Sequence, residues 1–285
     1  PTILETFNPA KNHVYHRYYK PYKEGKLPVY RLFITALATD NTYLDPSYIE
    51  QLKNADKITK ERLLYGNFEY DDDPSKIFEY DKILDMFSEG HVIETGAKRY
   101  ISCDVARFGE DKTVIIVWLG HYIEKIYHYP RTSMREVRDE LIRLSSLHGV
   151  YPNNIIVDED GVGGGVVDFM KGIRGFVNNS SPKETKSSKK FHNYANLKTQ
   201  CYFKLAEKVN AGEIKIYEDC PLEVKELIIE DLEQVAQKDI DKEQPIRLVP
   251  KEEVKERIGR SPDFSDAIMM RMYFDIIGGY RPYIA

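Results

Sequence analysis

Residues 100–119 constrain the fold more than any other stretch. An apolar run at 100–105 is followed by a short polar turn at 107–111 and a β-branched run at 113–117. Gly109 supplies a residue that tolerates positive φ. Two strands joined by a tight turn are predicted. Inside the first run sits one carboxylate, Asp104. An ionised carboxylate in a buried strand is costly unless a cation or hydrogen bonds offset it. No Arg or Lys adjoins it on the strand. Two readings stand: Asp104 faces a metal ion, or it lies at the solvent end of the strand where the turn begins.

The rest of the chain bounds the classes open to it. With 285 residues there is room for one large domain, or one domain with a smaller appendage. A net charge of -5 excludes a uniformly basic nucleic-acid binder, so any DNA contact must come from local patches. Cys103, Cys201 and Cys220 are widely spaced, odd in number and without a CxxC. That argues against a zinc site or a disulfide framework and fits a reducing compartment. No apolar run approaches the ~18 residues of a membrane span, and no signal-peptide pattern is visible. The chain opens on Pro1 without an initiator Met, as expected of a fragment of something longer.

Along the N-terminal part, an aromatic-rich stretch at 13–22 precedes an expected strand at 29–37. Pro46 opens a helix over about 46–54, and a second, about 59–65, ends at Gly66. The acidic run at 70–74 has the character of a linker, most simply a solvated loop. From residue 99 the pattern becomes strand, strand, strand, helix, strand. The third strand spans 121–129. Thr132 or Ser133 caps a helix to about 147, which Gly149 ends. Residues 154–157 form a short, wholly apolar strand of the kind found inside sheets. It runs into Asp158-Glu159-Asp160 and a glycine-rich turn, and a helix begins at Val166. Residues 174–193 show no periodicity and are expected to be a loop, either plainly solvated or a phosphate-contacting flap. Beyond it, 194–210, 221–236 and 251–258 are helical, with short strands at 214–216 and 246–249. A last helix runs over 267–274. An α/β domain follows from this alternation.

Three carboxylates share one placement. Asp104 lies in or at the end of the first strand, Asp158 at the end of an interior strand, and Asp266 at the start of the last helix. Strand ends on one edge of an α/β sheet, and helices that begin there, converge. Acidic oxygens without His or Cys suit hard cations such as Mg²⁺ or Mn²⁺. Two such ions about 3.5–4 Å apart can activate a water and stabilise the leaving oxygen in phosphodiester cleavage. Each residue also has a plainer role open to it. Asp266 favours a helix N-terminus, Asp263 can be the N-cap, Glu159 and Asp160 can be solvated turn residues, and Asp111 can orient the hairpin. Other motifs fail. Gly161-Val162-Gly163-Gly164-Gly165 is followed by Val166 and makes no dinucleotide fingerprint; Gly25-Lys26 makes no P-loop; there is no HExxH and no nucleophile elbow.

These residues resemble the C-terminal nuclease domain of the large terminase subunit of tailed bacteriophages. The resemblance is carried by Ser102-Cys103-Asp104-Val105-Ala106-Arg107 with Gly109-Glu110-Asp111-Lys112-Thr113. It continues in 157–168, beginning Val157-Asp158-Glu159-Asp160, and in Gly259-Arg260-Ser261-Pro262-Asp263-Phe264-Ser265-Asp266-Ala267. Thr39-Asp40-Asn41 to Gly66-Asn67-Phe68 resembles the segment joining the packaging ATPase to the nuclease. Asn196 and its helix also fit. The resemblance implies an RNase H-like mixed sheet flanked by helices over 96–285, with an ATPase remnant and linker over 1–95. It implies a metal-dependent endonuclease that cuts concatemeric double-stranded viral DNA. Asp104, Asp158 and Asp266 would be catalytic ligands of two Mg²⁺ or Mn²⁺ ions, with Asp263 binding metal or assisting. Family members carry a P-loop and a Walker B strand upstream. This sequence has neither, so on that reading it hydrolyses no ATP alone. The implied partners are the packaging ATPase domain, the small terminase subunit and the portal protein. The implied place is the procapsid in the host cytoplasm, with no membrane.

Candidate phosphate contacts are Lys183, Lys186, Lys189, Lys190, Lys251, Lys255, Arg257 and Arg260. Those on the helix at 251–258 are equally placed to pair with Glu252, Glu253 and Glu256. Two other functions stay open: another RNase H-like enzyme, such as a junction resolvase or transposase, and a non-catalytic DNA-binding or motor-docking module.

Overall fold

The computed structural model describes residues 4–9, 14–55, 59–68, 75–88, 96–106, 112–160, 163–183, 193–217, 219–239 and 244–278. The chain divides into Pro1–Pro74 and Ser75–Ala285. In the first unit a π-helical turn, Tyr15–Tyr19, runs into a short helix α1 (Lys20–Lys23). Helix α2 (Pro46–Asn54) begins where expected, and Asp45 caps it by accepting the Ser47 amide at 2.8 Å. A π-helical turn, Lys60–Leu64, follows; Gly66 just beyond has φ +63°. The small core is aromatic, with Tyr15, Phe33 and Phe68 buried against Phe7 and Tyr19. The strand expected at 29–37 does not form. Only Phe33 of that stretch is buried, while Val29, Leu32 and Ile34 are exposed. A strand needs a hydrogen-bonded neighbour, and among the described residues none pairs with it.

The second unit begins at Ser75, ahead of the break expected at 95/96. Helix α3 (Tyr80–Asp85) explains the difference: Ile83 and the adjoining Met86 are sealed into the main core. Strands β1 (Arg99–Asp104), β2 (Lys112–Leu119) and β3 (Tyr122–Pro130) make the antiparallel ladder expected from the sequence. Helix α4 (Met134–His148) follows, with a Ser133–Glu136 capping box and Gly149 in the left-handed conformation at its end. Then come β4 (Ile155–Asp158), α5 (Gly163–Phe169) and β5 (Arg174–Phe176). The stretch expected to be wholly loop thus opens with an edge strand. Its three residues are too few to show a period, and pairing with β4 supplies the order.

The remaining elements are α6 (Leu197–Asn210), β6 (Lys215–Ile216), α7 (Leu222–Glu233), β7 (Gln237–Lys238), β8 (Arg247–Leu248), α8 (Lys251–Ile258), α9 (Asp263–Met270) and α10 (Met272–Gly278). The six-stranded sheet has the order β5-β4-β1-β2-β3-β6. β1 runs parallel to β4 and antiparallel to β2, so the sheet is mixed. The expected last helix starts earlier, at Asp263, and breaks at Arg271.

Both faces of the sheet are covered, which is why β2 reads as an unbroken apolar run. Alternation sorts its side chains. Val114, Ile116 and Trp118 join the core shared with α6, α7 and α9. Ile115 and Val117 join the core shared with α4 and α5. In β1, Ile101 and Cys103 belong to the α4 side. Ser102 points the other way, where its hydroxyl accepts the Trp118 indole N–H at 3.0 Å. Asp104 has the same parity as Ser102. In β4, Ile155 and Val157 face α4, and Ile156 faces the helices of the opposite side; Asp158 shares its parity. Cys103 is level with Val157, so the next residues, Asp104 and Asp158, end adjacent parallel strands on one face.

Candidate functional site

The strand ends bring Asp104 and Asp158 together, and α9 comes down on the same face. Asp263 and Asp266 are three residues apart and therefore share one side of that helix. Asp104, Asp263 and Asp266 are all buried. Asp263 is not the N-cap; it is the first residue of α9. Its Oδ2 accepts the Lys112 amide at 2.8 Å, which ties α9 to the start of β2. The N-cap position is Pro262, which offers no side-chain acceptor. Asp231 of α7 does that work from a distance: its Oδ2 accepts the Phe264 and Ser265 amides at 3.0 and 3.2 Å. Its Oδ1 receives Arg260 Nη1 at 2.5 Å. Burial pushes the Asp231 carboxyl up to about 7, against the pull of Arg260 and the Ser265 amide.

Two lysines enter the cluster. Lys251, the first residue of α8, places Nζ 3.0 Å from Asp266 Oδ2 and 3.7 Å from Asp263 Oδ1. Lys198 of α6 places Nζ 2.7 Å from Asp266 Oδ1, and the Tyr202 hydroxyl donates to the same oxygen at 2.7 Å. Asp158 is held differently, by neutral donors. Its Oδ1 accepts the Asp160 amide at 3.1 Å and Asn178 Nδ2 at 3.2 Å. Asp160 in turn accepts Asn178 through both its backbone and side-chain N–H groups, at 2.8 Å each.

Gly163 has a steric reason. A Cβ on Gly163 would lie 1.5 Å from the Asp158 carbonyl oxygen. The first turn of α5 can approach β4 that closely only without a side chain.

The electrostatics divide the cluster. Burial pushes the Asp104 carboxyl well above its ordinary range; Lys251 pulls it back, while Asp266, Asp158 and Asp263 push it further. Burial also raises Asp158, with Asp160 and Asp266 adding to it, against the Asp160 amide and Lys198. Asp266 behaves in the opposite way. Burial works to raise it, but Lys198, Lys251 and the Tyr202 hydroxyl hold it well below the carboxylate range. Burial works against charge on Lys251, yet Asp266, Asp104 and Asp263 keep its pKa above the lysine range. Burial, then Asp266, raises the Tyr202 phenol, so it stays a donor. Four carboxylates are thus within electrostatic reach of one another, with two ammonium groups to balance them.

The donor set, all carboxylate oxygen, fits a hard divalent cation. Among the described residues no three His, Cys, Asp or Glu side chains are already gathered around a point that would hold one. The Lys251 ammonium instead supplies positive charge between Asp263 and Asp266. A cleft of about 710 Å³ opens beside Asp266, lined in part by Asp160, Asn178, Asn196, Lys198, Arg247 and Lys251.

The other basic candidates scatter. Lys183 is engaged through its backbone, which exchanges two 2.7 Å hydrogen bonds with the Gln200 amide. Lys186, Lys189, Lys190 and Asp111 lie outside the described residues. Arg257 is exposed and 3.7 Å from Glu253. Lys255 is half-buried on the same helix. Arg260 is turned inward, onto Asp231 and Glu230. Lys198, Tyr202, Asn178 and Asp231 were not singled out by the sequence reading. The 3.6-residue period marks the α6 face as core without distinguishing a hydroxyl that reaches a carboxylate.

No protein-family model matches the chain, and no curated protein matches it. Solved structures do. The nuclease domain of the large terminase subunit gp2 of bacterial virus Sf6 superposes with a TM-score of 0.59 at 20% identity, over 69% of this chain and 98% of that one. The same values hold for mutant forms of that domain solved with manganese and beta-thujaplicinol and with calcium. The large terminase nuclease of thermophilic phage G20c matches at a TM-score of 0.43 and 16% identity, over 73% of this chain and all of that one. No helix among the described residues is long and apolar enough to cross a membrane. In fold, this chain carries a mixed, helix-flanked sheet similar to that of the Sf6 large terminase nuclease domain.

Proposed function

We propose that this chain is a metal-dependent endodeoxyribonuclease of a viral DNA-packaging terminase, hydrolysing phosphodiester bonds in concatemeric double-stranded DNA. The observation that carries the reading is the meeting of Asp104, Asp158 and Asp266 on one face of the sheet, with Asp104 buried and its carboxyl raised by that burial and by its acidic neighbours despite Lys251. A set of acidic oxygens that repels DNA by itself becomes a phosphate site when divalent cations invert its charge. The likeness in fold to a phage nuclease domain solved with manganese and with calcium supports the same reading.

Asp104, Asp158 and Asp266 would hold two Mg²⁺ or Mn²⁺ ions, with Asp263 assisting. When bound, the ions would activate the attacking water and stabilise the leaving oxygen. The chain's own groups set the stage for that. Asn178 and the Asp160 amide fix the rotamer of Asp158. Lys198 and Tyr202 fix Asp266. Lys251 balances the helical carboxylates until a cation arrives. Arg247 and the asparagines of the cleft wall offer donors to a sugar-phosphate strand. Lys183, Lys186, Lys189, Lys190, Lys255 and Arg257 would make outlying phosphate contacts. The partners on this reading are the packaging ATPase domain, the small terminase subunit and the portal, at the procapsid in the host cytoplasm.

Cleavage of supercoiled plasmid in Mn²⁺ or Mg²⁺ tests it. Wild type is expected to nick and linearise the plasmid, EDTA to stop it, and Asp158→Ala to lose cleavage while keeping its fold. Full activity in Asp158→Ala would overturn the assignment. Preference for branched DNA or strand-transfer products would point to a resolvase or transposase instead. Ion binding without cutting would leave a DNA-binding or docking module.

A further inference from the structure

The donors around Asp266 are divided unequally between its two oxygens. Lys198 Nζ and the Tyr202 hydroxyl both reach Oδ1, at 2.7 Å each. They are four residues apart on α6, so both project from one side of that helix. Tyr202 is further fixed by Ser265 Oγ at 2.9 Å, and it is packed into the main core. Oδ2 meets Lys251 at 3.0 Å, and that side chain is 34% exposed. A carboxylate oxygen has about two lone-pair directions. Buried Tyr202 and half-buried Lys198 together saturate Oδ1. Oδ2 meets one donor among the described residues, the more exposed Lys251.

We infer that Lys198 and Tyr202 occupy Oδ1 so that Asp266 offers a divalent ion one oxygen only, Oδ2, and that this pair thereby selects small octahedral ions over Ca²⁺. The inference rests on the metal-nuclease reading above and goes beyond it to the choice of ion. Ca²⁺ takes six to eight oxygens and readily uses both oxygens of one carboxylate. Mg²⁺ demands near-octahedral geometry, keeps several waters and needs only one or two carboxylates. A carboxylate with one oxygen blocked suits the second ion and withholds a ligand from the first. Lys198 and Tyr202 are positioning residues: they act through Asp266. Groups of this kind, one step removed from an ion, commonly alter affinity by about 10–100-fold.

The test is calorimetric titration of Mg²⁺, Mn²⁺ and Ca²⁺, separately, into the full chain and into two variants, Tyr202→Phe and Lys198→Met. Phenylalanine keeps the packing of Tyr202 and removes only the hydroxyl. The expected result is a shift of the Ca²⁺-to-Mg²⁺ affinity ratio toward Ca²⁺ by about tenfold in Tyr202→Phe, and a shift in the same direction in Lys198→Met. Equal changes for all three ions, or an unchanged ratio in both variants, would overturn the inference while leaving the nuclease reading intact. Failure of wild type to bind any of the three ions would overturn both. If Tyr202→Phe does not fold, the ratio in Lys198→Met decides the matter alone.

Discussion

Asp104 and Asp266 are buried alike, 6% exposed each, yet the first is pushed well above the carboxylate range and the second is held well below it. In the strand-end half Asp158 has neutral amide donors, and among the described residues neither it nor Asp104 makes an ion pair, although Lys251 acts on Asp104 from further off. The helical half, Asp263 and Asp266, is served by Lys251, and Asp266 also by Lys198 and Tyr202. Burial is the same force on both sides, so the difference lies in partners. A fold that only needed stability would not leave two carboxylates at adjacent strand ends undersupplied, because an uncompensated buried charge is among the costlier defects. On the proposed nuclease reading, the strand-end half is where positive charge arrives from outside.

That contrast can be broken first by removing charge from each half. Asp104→Asn and Asp266→Asn are both expected to drop Mn²⁺-dependent plasmid cleavage to background. Their metal-free stabilities should move in opposite directions. Asp266→Asn strands Lys198 and Lys251 and should lose about 3 kcal/mol in urea unfolding. Asp104→Asn removes a burdened charge and should leave stability unchanged or higher. A comparable loss in both would erase the distinction between the halves.

The strand-end half also depends on a close backbone approach. Gly163→Ala puts a Cβ 1.5 Å from the Asp158 carbonyl oxygen, and backbone cannot yield cheaply. A loss of about 3 kcal/mol is expected, with Mn²⁺ affinity falling alongside it. At Gly165 the obstacle is the Met134 sulfur at 2.4 Å, the far end of a flexible side chain. Gly165→Ala should therefore cost about 1 kcal/mol. Thermal unfolding of the two variants side by side checks this.

Asp275 shows what a well-served, half-buried carboxylate does away from the site. Its oxygens meet His121 Nε2 at 2.6 Å and Arg271 Nη1 at 2.7 Å. Burial works to raise it, but the hydrogen bonds and charges of His121 and Arg271 bring it down to about 2. A depressed carboxylate stabilises the fold above its unfolded pKa, and that share is lost as pH falls through the folded value. Between about pH 4 and 2, wild type should lose about 2 kcal/mol through this group. Asp275→Asn should flatten that part of the stability profile in chemical denaturation. Unchanged acid sensitivity would show that other carboxylates set it.

Much of this was legible in the sequence. The hairpin of β1 and β2, the capped helix α4 and the limits of α8 follow from strand alternation, caps and terminal glycines. Asp104 and Asp158 stand out because each carboxylate ends an apolar run. What escaped depends on partners distant in sequence. Lys251 reads as a surface charge because Glu252, Glu253 and Glu256 surround it along the chain, whereas tertiary packing turns it onto Asp266. Arg260 reads as a phosphate contact and instead serves Asp231. Asp263 reads as an N-cap because the residue that caps the helix, Asp231, is a whole element away. Helix α3 and strand β5 are too short to carry a period, and the expected strand at 29–37 had the β-branched residues without a neighbour to pair with.

The most direct test of the central claim is anomalous diffraction at the manganese edge from crystals of this protein soaked in Mn²⁺. The expected result is manganese density bounded by Asp104, Asp158 and Asp266 Oδ2, with the Lys251 ammonium moved off Asp266. Manganese found only elsewhere, or a fully loaded crystal in which Asp104 and Asp158 contact no ion, would contradict it.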